Sequence, residues 1–378
     1  MSIKDKVAII GAGCSKFGEH YDKSAEDLVV EAGLEAIADA GIERSRIQAG
    51  WVGTISSALS GNALSDPLKL VDIPITRVEN YCASGMDAVR GAAFGIAAGM
   101  YDVVIALGFE KMRDMVPGGL PAPHPVFDNG ESPHIFALAA NRYFKDHGAT
   151  KSTLAKVAIK NHHNGRLSPK AHLRMEVSEE QVLRAPMIYA PLGLFDCCPT
   201  TDGAAAVVLC RADLARGFRD DPVYIKGIGL SVSYGRPHYN PSYRYDGFPA
   251  TRNAAAQAYE QAGVRPDDID LAEIHDCFTI TEILNYEDLG FCARGEGGKA
   301  AEEGRFALDG EKPVNPSGGL KSFGHPIGAT GVRMLYELTQ HLRGAAGERQ
   351  VKGAELGLAH NLGGLGGVSC VSILGNQL

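Results

Sequence analysis

The 378-residue chain predicts an α/β protein made of two similar halves, with a long segment inserted in the first. Three observations carry that expectation. Short apolar strands alternate with amphipathic helices. One helix–glycine–strand unit occurs twice, which points to a duplicated core. A stretch rich in proline and glycine interrupts the first half and gives way to helical patterning before the strands return.

Val7-Ala8-Ile9-Ile10 opens the chain as an apolar strand. Gly11-Ala12-Gly13 behind it looks like the start of a dinucleotide fingerprint. However, Lys16 stands at the third glycine position and no acidic ribose reader follows at the proper distance, so a plain tight turn is expected. The segment Ala36–Ala40 ends an amphipathic helix, Gly41 caps it, and polar residues lead to Ile47. Ala258–Ala262, Gly263 and Ile269 repeat the unit, with Val223–Ile228 as the strand before it. Pro117–Pro125 cannot hold a regular element, because proline lacks an amide donor and glycine loosens the chain. Helical patterning follows at Ile135–His147 and Thr153–Asn161, and Ala204–Cys210 returns to a buried strand. The expected division is 1–113 with 196–218 as the first half, 114–195 as an inserted loop domain, and 219–378 as the second half. Excursions of that length usually carry function, often as a ligand cover.

A net charge of −8, with no basic stripe, argues against a nucleic-acid partner. The N-terminus has too short an apolar stretch for a signal peptide, and no apolar run approaches a membrane span. Asn376-Gln377-Leu378 is not the peroxisomal Ser-Lys-Leu address. Eight cysteines without regular spacing and without a C-x-x-C pair argue for a reducing compartment and against a structural zinc. A cytoplasmic location is expected.

The chemistry concentrates in a few segments. In Asn80-Tyr81-Cys82-Ala83-Ser84-Gly85-Met86, small residues crowd a cysteine that precedes a helix. Helix amides aimed at the sulfur would lower its pKa and make it a nucleophile; the alternative is a buried packing cysteine. Downstream lie Glu273-Ile274-His275-Asp276-Cys277-Phe278 and Asn315-Pro316-Ser317-Gly318-Gly319-Leu320-Lys321-Ser322-Phe323-Gly324-His325-Pro326-Ile327-Gly328-Ala329-Thr330-Gly331. His325 is held by a proline between glycines, and histidine exchanges protons near neutral pH. The turn His360-Asn361-Leu362-Gly363-Gly364 exposes backbone amides of the kind that form an oxyanion hole. His162-His163 reads as a solvated helix face, and Cys197-Cys198 as packing ahead of a strand. His124 and His134 flank the insertion without a specified role. Its aromatic residues Phe127, Phe136, Tyr143 and Phe144 could equally be core.

Taken in order, these segments resemble the thiolase family across nearly the whole chain. The H-D-C-F form is similar to sterol-carrier-protein-type and archaeal or bacterial members, where other thiolases carry N-E-A-F. The resemblance implies two βαβαβαββ halves stacked as five layers αβαβα, with the insertion covering substrate and coenzyme A. It also implies reversible thiolytic cleavage of a 3-oxoacyl-CoA, or Claisen condensation of two acyl-CoAs, through an acyl-cysteine. By that resemblance Cys82 is the acyl acceptor, His325 its base, and His275 with His325 the first oxyanion hole. The amides of Cys82 and Gly363 form the second, and Ser317, Gly318 and Asn361 contact substrate. Coenzyme A is a co-substrate and no resident cofactor is expected. A homodimer or higher assembly is implied and, for bacterial and archaeal relatives, a small partner protein with a zinc ribbon and an OB-fold.

One departure matters. Most thiolases carry a second catalytic cysteine where this chain has Asn361, which cannot act as a base. Cys277 of the H-D-C-F segment is therefore the candidate proton shuttle, against a packed cysteine as the plain alternative. Cys82, Cys277, His275 and His325 are all metal-ligand types, but those roles need them unliganded, so no metal is expected. Two other functions fit the segments less well: a ketosynthase-like decarboxylating condensing enzyme, and a non-catalytic acyl-CoA-binding subunit.

Overall fold

A computed structural model of the chain describes residues 2–114, 132–234 and 240–378. The Pro117–Pro125 loop, His124 and Phe127 lie outside them. The first half runs β1 (Val7–Cys14), α1 (Ala25–Asp39), β2 (Gly50–Gly53), α2 (Asn62–Leu68), β3 (Ile75–Val78), α3 (Ser84–Ala97) and β4 (Val103–Lys111). Between β4 and its antiparallel neighbour come α4 (Ser132–His147), α5 (Lys151–Leu167), α6 (Glu179–Arg184) and a hairpin of β5 (Met187–Tyr189) and β6 (Leu192–Gly193). The chain returns through β7 (Asp202–Arg211) and α7 (Ala212–Ala215). The second half is β8 (Val223–Val232), α8 (Pro249–Ala262), β9 (Leu271–Ile274), α9 (Thr279–Asp288), α10 (Gly297–Glu302), α11 (Gly319–Ser322), α12 (Thr330–Leu342), β10 (Leu356–Gly363) and β11 (Val368–Gly375).

The sheet order, β3-β2-β4-β7-β1 followed by β8-β11-β10-β9, makes the duplication explicit. Each half places its first strand innermost and its last strand, antiparallel, beside it. The second half's third strand is reduced to a single parallel bridge between Ala272 and Val314. The two half-sheets join where β1 and β8 pair at Ala8–Tyr224 and Ile9–Val223, a continuity no local pattern announces. Helix α1 covers the outer face of the first half-sheet and α8 that of the second. Helices α3 and α12 lie between, each touching strands of both halves, which gives the five layers.

Strand periodicity assigns the cores. On β7, Ala204, Ala206, Val208 and Cys210 join Leu28, Val29 and Ala36 of α1, whereas Ala205, Val207 and Leu209 join Met86 of α3 and Leu335 of α12. Gly11 and Gly13 are not a turn. They sit within β1, where a Cβ would fall 2.1 Å from the Ala36 carbonyl and 2.2 Å from that of Ala32, so they let α1 press onto the strand. The two repeat glycines adopt the left-handed conformation a helix end needs, with φ of 65° at Gly41 and 71° at Gly263. Among the described residues, no helix is long and apolar enough to cross a membrane.

Candidate active site

Cys82 stands on a tight turn ahead of α3. Tyr81 takes a left-handed φ of 52°, uncommon for a bulky residue. The turn is fixed by Ala83 N donating to the Asn80 carbonyl (3.1 Å), Ser84 N to that of Tyr81 (3.0 Å), and Asn80 N to Ser84 Oγ (2.8 Å). The loop bearing His325 is threaded against it with almost no space. A Cβ on Gly85 would lie 2.3 Å from the Gly328 carbonyl oxygen, and one on Gly108 only 2.2 Å from it. The buried Glu110 carboxylate holds the same loop, accepting from Gly328 N (3.2 Å) as well as from the amides of Ile55 and Ser57 (each 2.9 Å).

Cys82 Sγ and one nitrogen each of His275 and His325 lie within 4.8 Å of one another, and the two rings meet edge to face with centroids 5.1 Å apart. Hydrogen bonds set the two imidazoles to opposite duties. Thr330 Oγ1 donates to the Pro326 carbonyl (3.1 Å), so it must accept from His325 Nδ1 (2.7 Å), and Nε2 of that ring keeps its lone pair. Asn361 Nδ2 donates to His275 Nδ1 (3.1 Å), which leaves the proton of that ring on Nε2. One ring is thus poised to take a proton and the other to donate a hydrogen bond.

Burial governs the electrostatics. It pushes the Cys82 thiol up to about 12, against the opposing pull of the amides of Gly364 and Cys82 itself. The helix start therefore does not yield a resting thiolate, contrary to the sequence expectation: desolvation outweighs it. Burial, reinforced by the Arg333 cation, takes His325 down to about 3 and holds His275 well below the usual imidazole range. Both rings are neutral at physiological pH. The Cys277 thiol is raised well above its ordinary value by the same desolvation, with the neighbouring Cys198 and Cys82 adding to it.

Cys82, His275, His325 and Cys277 all line one cavity of about 190 Å³, whose apolar wall includes Met112, Phe136, Phe278 and Ile327. Cys277 lies 3.7 Å from Thr281 Oγ1. Larger depressions exist on the surface, one of about 740 Å³, but they hold none of these groups. Other expected site residues fall elsewhere. The amide directed at Cys82 belongs to Gly364; Gly363 ends β10 in register with Val368, one residue short. Ser317 is buried behind the site, bonded to Glu273 Oε2 (2.7 Å) and Arg333 Nη1 (2.8 Å). Gly318 packs on Gly165, and Asn361 orients His275; none of the three lines the cavity. His162 is buried, not a solvated face, while His163 pairs with Glu176 at 2.9 Å. The His134 ring meets that of Tyr189 at a 45° tilt, and Cys197 and Cys198 are cavity wall. Of the aromatic residues, Phe136 reaches the cavity, whereas Tyr143 bonds Glu287 at 2.6 Å. Thr330 and Gly364 were missed; the fixed spacing from His325 signalled the first, but no sequence pattern distinguishes Gly364 from Gly363.

Comparison with known proteins shows the family of the chain. The family model "Thiolase, N-terminal domain" matches residues 7–213, and "Thiolase C-terminal domain-like" matches 238–376. An acetyl-CoA acetyltransferase of Methanothermobacter thermautotrophicus is 45% identical, over 97% of this chain and 98% of its own length. Sterol carrier protein 2 of Bos taurus is 35% identical, over 98% of this chain and 72% of its own. The solved structure of the Ltp2-ChsH2(DUF35) aldolase superposes with a TM-score of 0.89 at 26% identity, over the whole of both chains.

Proposed function

The chain belongs to the thiolase family and is an acyl-CoA C-acyltransferase, and we propose that it cleaves a 3-oxoacyl-CoA, or runs the reverse condensation, with Cys82 carrying the acyl group. The observation that carries this reading is the sulfur of Cys82 set between two neutral histidines with opposite hydrogen-bond roles.

In cleavage, His325 Nε2 takes the Cys82 proton as the sulfur attacks the 3-keto carbon. The alkoxide is held by the amides of Cys82 and Gly364. As the C2–C3 bond breaks, its electron pair passes to the thioester oxygen, which the Nε2–H groups of His275 and the now protonated His325 stabilise as an enolate. Cys277 gives its proton to C2 and is left as a thiolate; acetyl-CoA or a related acyl-CoA departs. Coenzyme A then attacks the acyl-Cys82, its thiol proton passing to Cys277, and His325 returns a proton to Cys82. Condensation is the reverse.

The same proposal includes an inserted loop domain at 114–195 that covers the substrate, a cytoplasmic location and assembly into at least a homodimer. All eight cysteines are free thiols, which supports a reducing compartment, and among the described residues β3 is an edge strand with one neighbour only. The proposal also takes a small zinc-ribbon and OB-fold partner, and the two-component name of the Ltp2-ChsH2(DUF35) aldolase supports a second protein in the assembly.

The test is to incubate the protein with acetyl-CoA and weigh it intact. An acetyl adduct should form, map to Cys82, and vanish in Cys82→Ala. A retro-aldol enzyme, the activity named for that solved neighbour, needs no acyl-cysteine and would give no adduct.

A further inference from the structure

Lys321 is a fully buried side chain with no carboxylate within ion-pair distance among the described residues. An ammonium taken out of water is costly unless something anionic uses it. Its surroundings enclose Cys277 from two sides. Its Nζ donates to the Cys197 carbonyl, and the next residue, Cys198, donates its amide to the Cys277 carbonyl at 2.9 Å. Residues 197 and 278 form an antiparallel bridge, which sets Cys198 directly opposite Cys277. On the other side, Asp276 accepts from the amides of Leu320 (2.6 Å) and Lys321 (3.2 Å), tying the lysine backbone to the residue beside Cys277.

We propose that Lys321 is a positioning residue for the proton shuttle: its ammonium is the counter-charge for the Cys277 thiolate that appears when the carbanion takes its proton. This rests on the reading of Cys277 as the shuttle. In thiolysis the S–H bond of Cys277 breaks, a C–H bond forms at C2, and the new negative charge is offset by the Lys321 ammonium held on the 197–198 segment that pairs with it. In condensation that thiolate is the base, and the cation keeps it deprotonated. The charged and titratable groups around the ammonium are Cys197 and Cys198 on one segment, Asp276 and Cys277 on another, Lys151 at the start of α5, and His162 farther along it. Asp276 is already bonded by Asn161 Nδ2 (2.8 Å) and by two backbone amides, and Cys197 has Lys151 as a second cation nearby.

The readout is exchange of the acetyl-CoA methyl hydrogens with deuterated solvent, followed against pH. Lys321→Gln removes the charge but keeps a donor for the Cys197 carbonyl; Lys321→Met is the second charge deletion, in case Gln does not fold. Either should acetylate Cys82 within about twofold of wild type, because that half-reaction belongs to His325. Each should move the exchange profile up by about one pH unit or more, an approximately tenfold loss at neutral pH. Lys321→Arg should restore it. In Cys277→Ala exchange should already be lost, and removing Lys321 should add nothing. An unshifted profile in the charge deletions, with exchange lost in Cys277→Ala, leaves the shuttle standing and overturns the role of the lysine. Exchange at the wild-type rate in Cys277→Ala overturns the shuttle itself and this inference with it.

Discussion

At the scale of single residues, a lone thiolate or a lone imidazolium in this cavity is opposed by desolvation, as the directions at Cys82 and His325 state. Formed together at close range, the two charges compensate each other, so proton transfer from Cys82 to His325 replaces a buried charge with a dipole. Replacing His325 with alanine removes the acceptor and leaves only the amides of Gly364 and Cys82 to favour the thiolate. Iodoacetamide labelling of Cys82 at pH 7 should then slow by about 10²-fold or more, with the profile displaced to higher pH. Labelling of the alanine variant on the wild-type profile would mean that the imidazole does not take the proton. The residues in these roles were legible through their motifs, because cysteine, histidine and glycine at fixed spacing keep their chemistry in any context. The raised thiol was not legible: burial comes from α12, β10 and the insertion, none of them near Cys82 in sequence. The Gly363–Gly364 ambiguity has the same origin, since the amide that faces the sulfur depends on how β10 ends.

At the scale of elements, the site depends on three pieces of backbone in contact: the start of α3, the end of β4, and the loop between α11 and α12. Gly85 and Gly108 admit the Gly328 carbonyl from two sides, and Glu110 holds the Gly328 amide. Gly108→Ala therefore needs no change in any catalytic group to impair the enzyme. Its methyl would have to occupy space 2.2 Å from a backbone oxygen that cannot rotate away. Overpacking of this kind typically costs about 1–3 kcal/mol, and the loop carrying His325 would yield. Acetylation of Cys82 by acetyl-CoA, measured well below the melting temperature of the variant, should fall about tenfold or more, since small misplacements cost heavily in catalysis. Acetylation at the wild-type rate would show that the close approach serves packing alone. Local signals located most elements: glycine caps marked the ends of both repeat helices, and apolar runs marked β1, β7 and β8. They could not reveal that the third strand of the second half shrinks to one bridge at Val314, or that Gly11 and Gly13 receive a helix. Both depend on partners far away in the chain.

At the scale of the whole molecule, many ionisable groups are held inside the fold in their neutral form, and this sets its response to acid. Burial lowers His162 and His341 to about 4 and His325 and His360 to about 3, from an ordinary 6.5. In the unfolded chain each protonates as the pH falls through about 6.5, whereas in the fold each stays neutral until far lower pH. The unfolded state therefore binds more protons in that window, and stability falls as the pH is lowered. Each histidine costs about 1.4 kcal/mol per pH unit below 6.5. The buried Asp276 acts in the other direction: its carboxyl is pushed up to about 7, so the fold holds a proton that the unfolded chain releases, and stability is gained on acidification. Glu273, raised by its burial, has the same sign. These four histidines, joined by His275 and His172, which burial also lowers, outweigh the carboxyls, and a net loss of a few kcal/mol is expected between pH 7.5 and pH 5.5. For a chain of this length that corresponds to a Tm lower by about 3–6 °C at pH 5.5. His360→Gln, which removes one of these histidines while keeping a partner for Thr251, should make the slope visibly shallower. A slope that His360→Gln leaves unchanged would mean that His360 is already charged in the fold or does not lose its neutral form on unfolding.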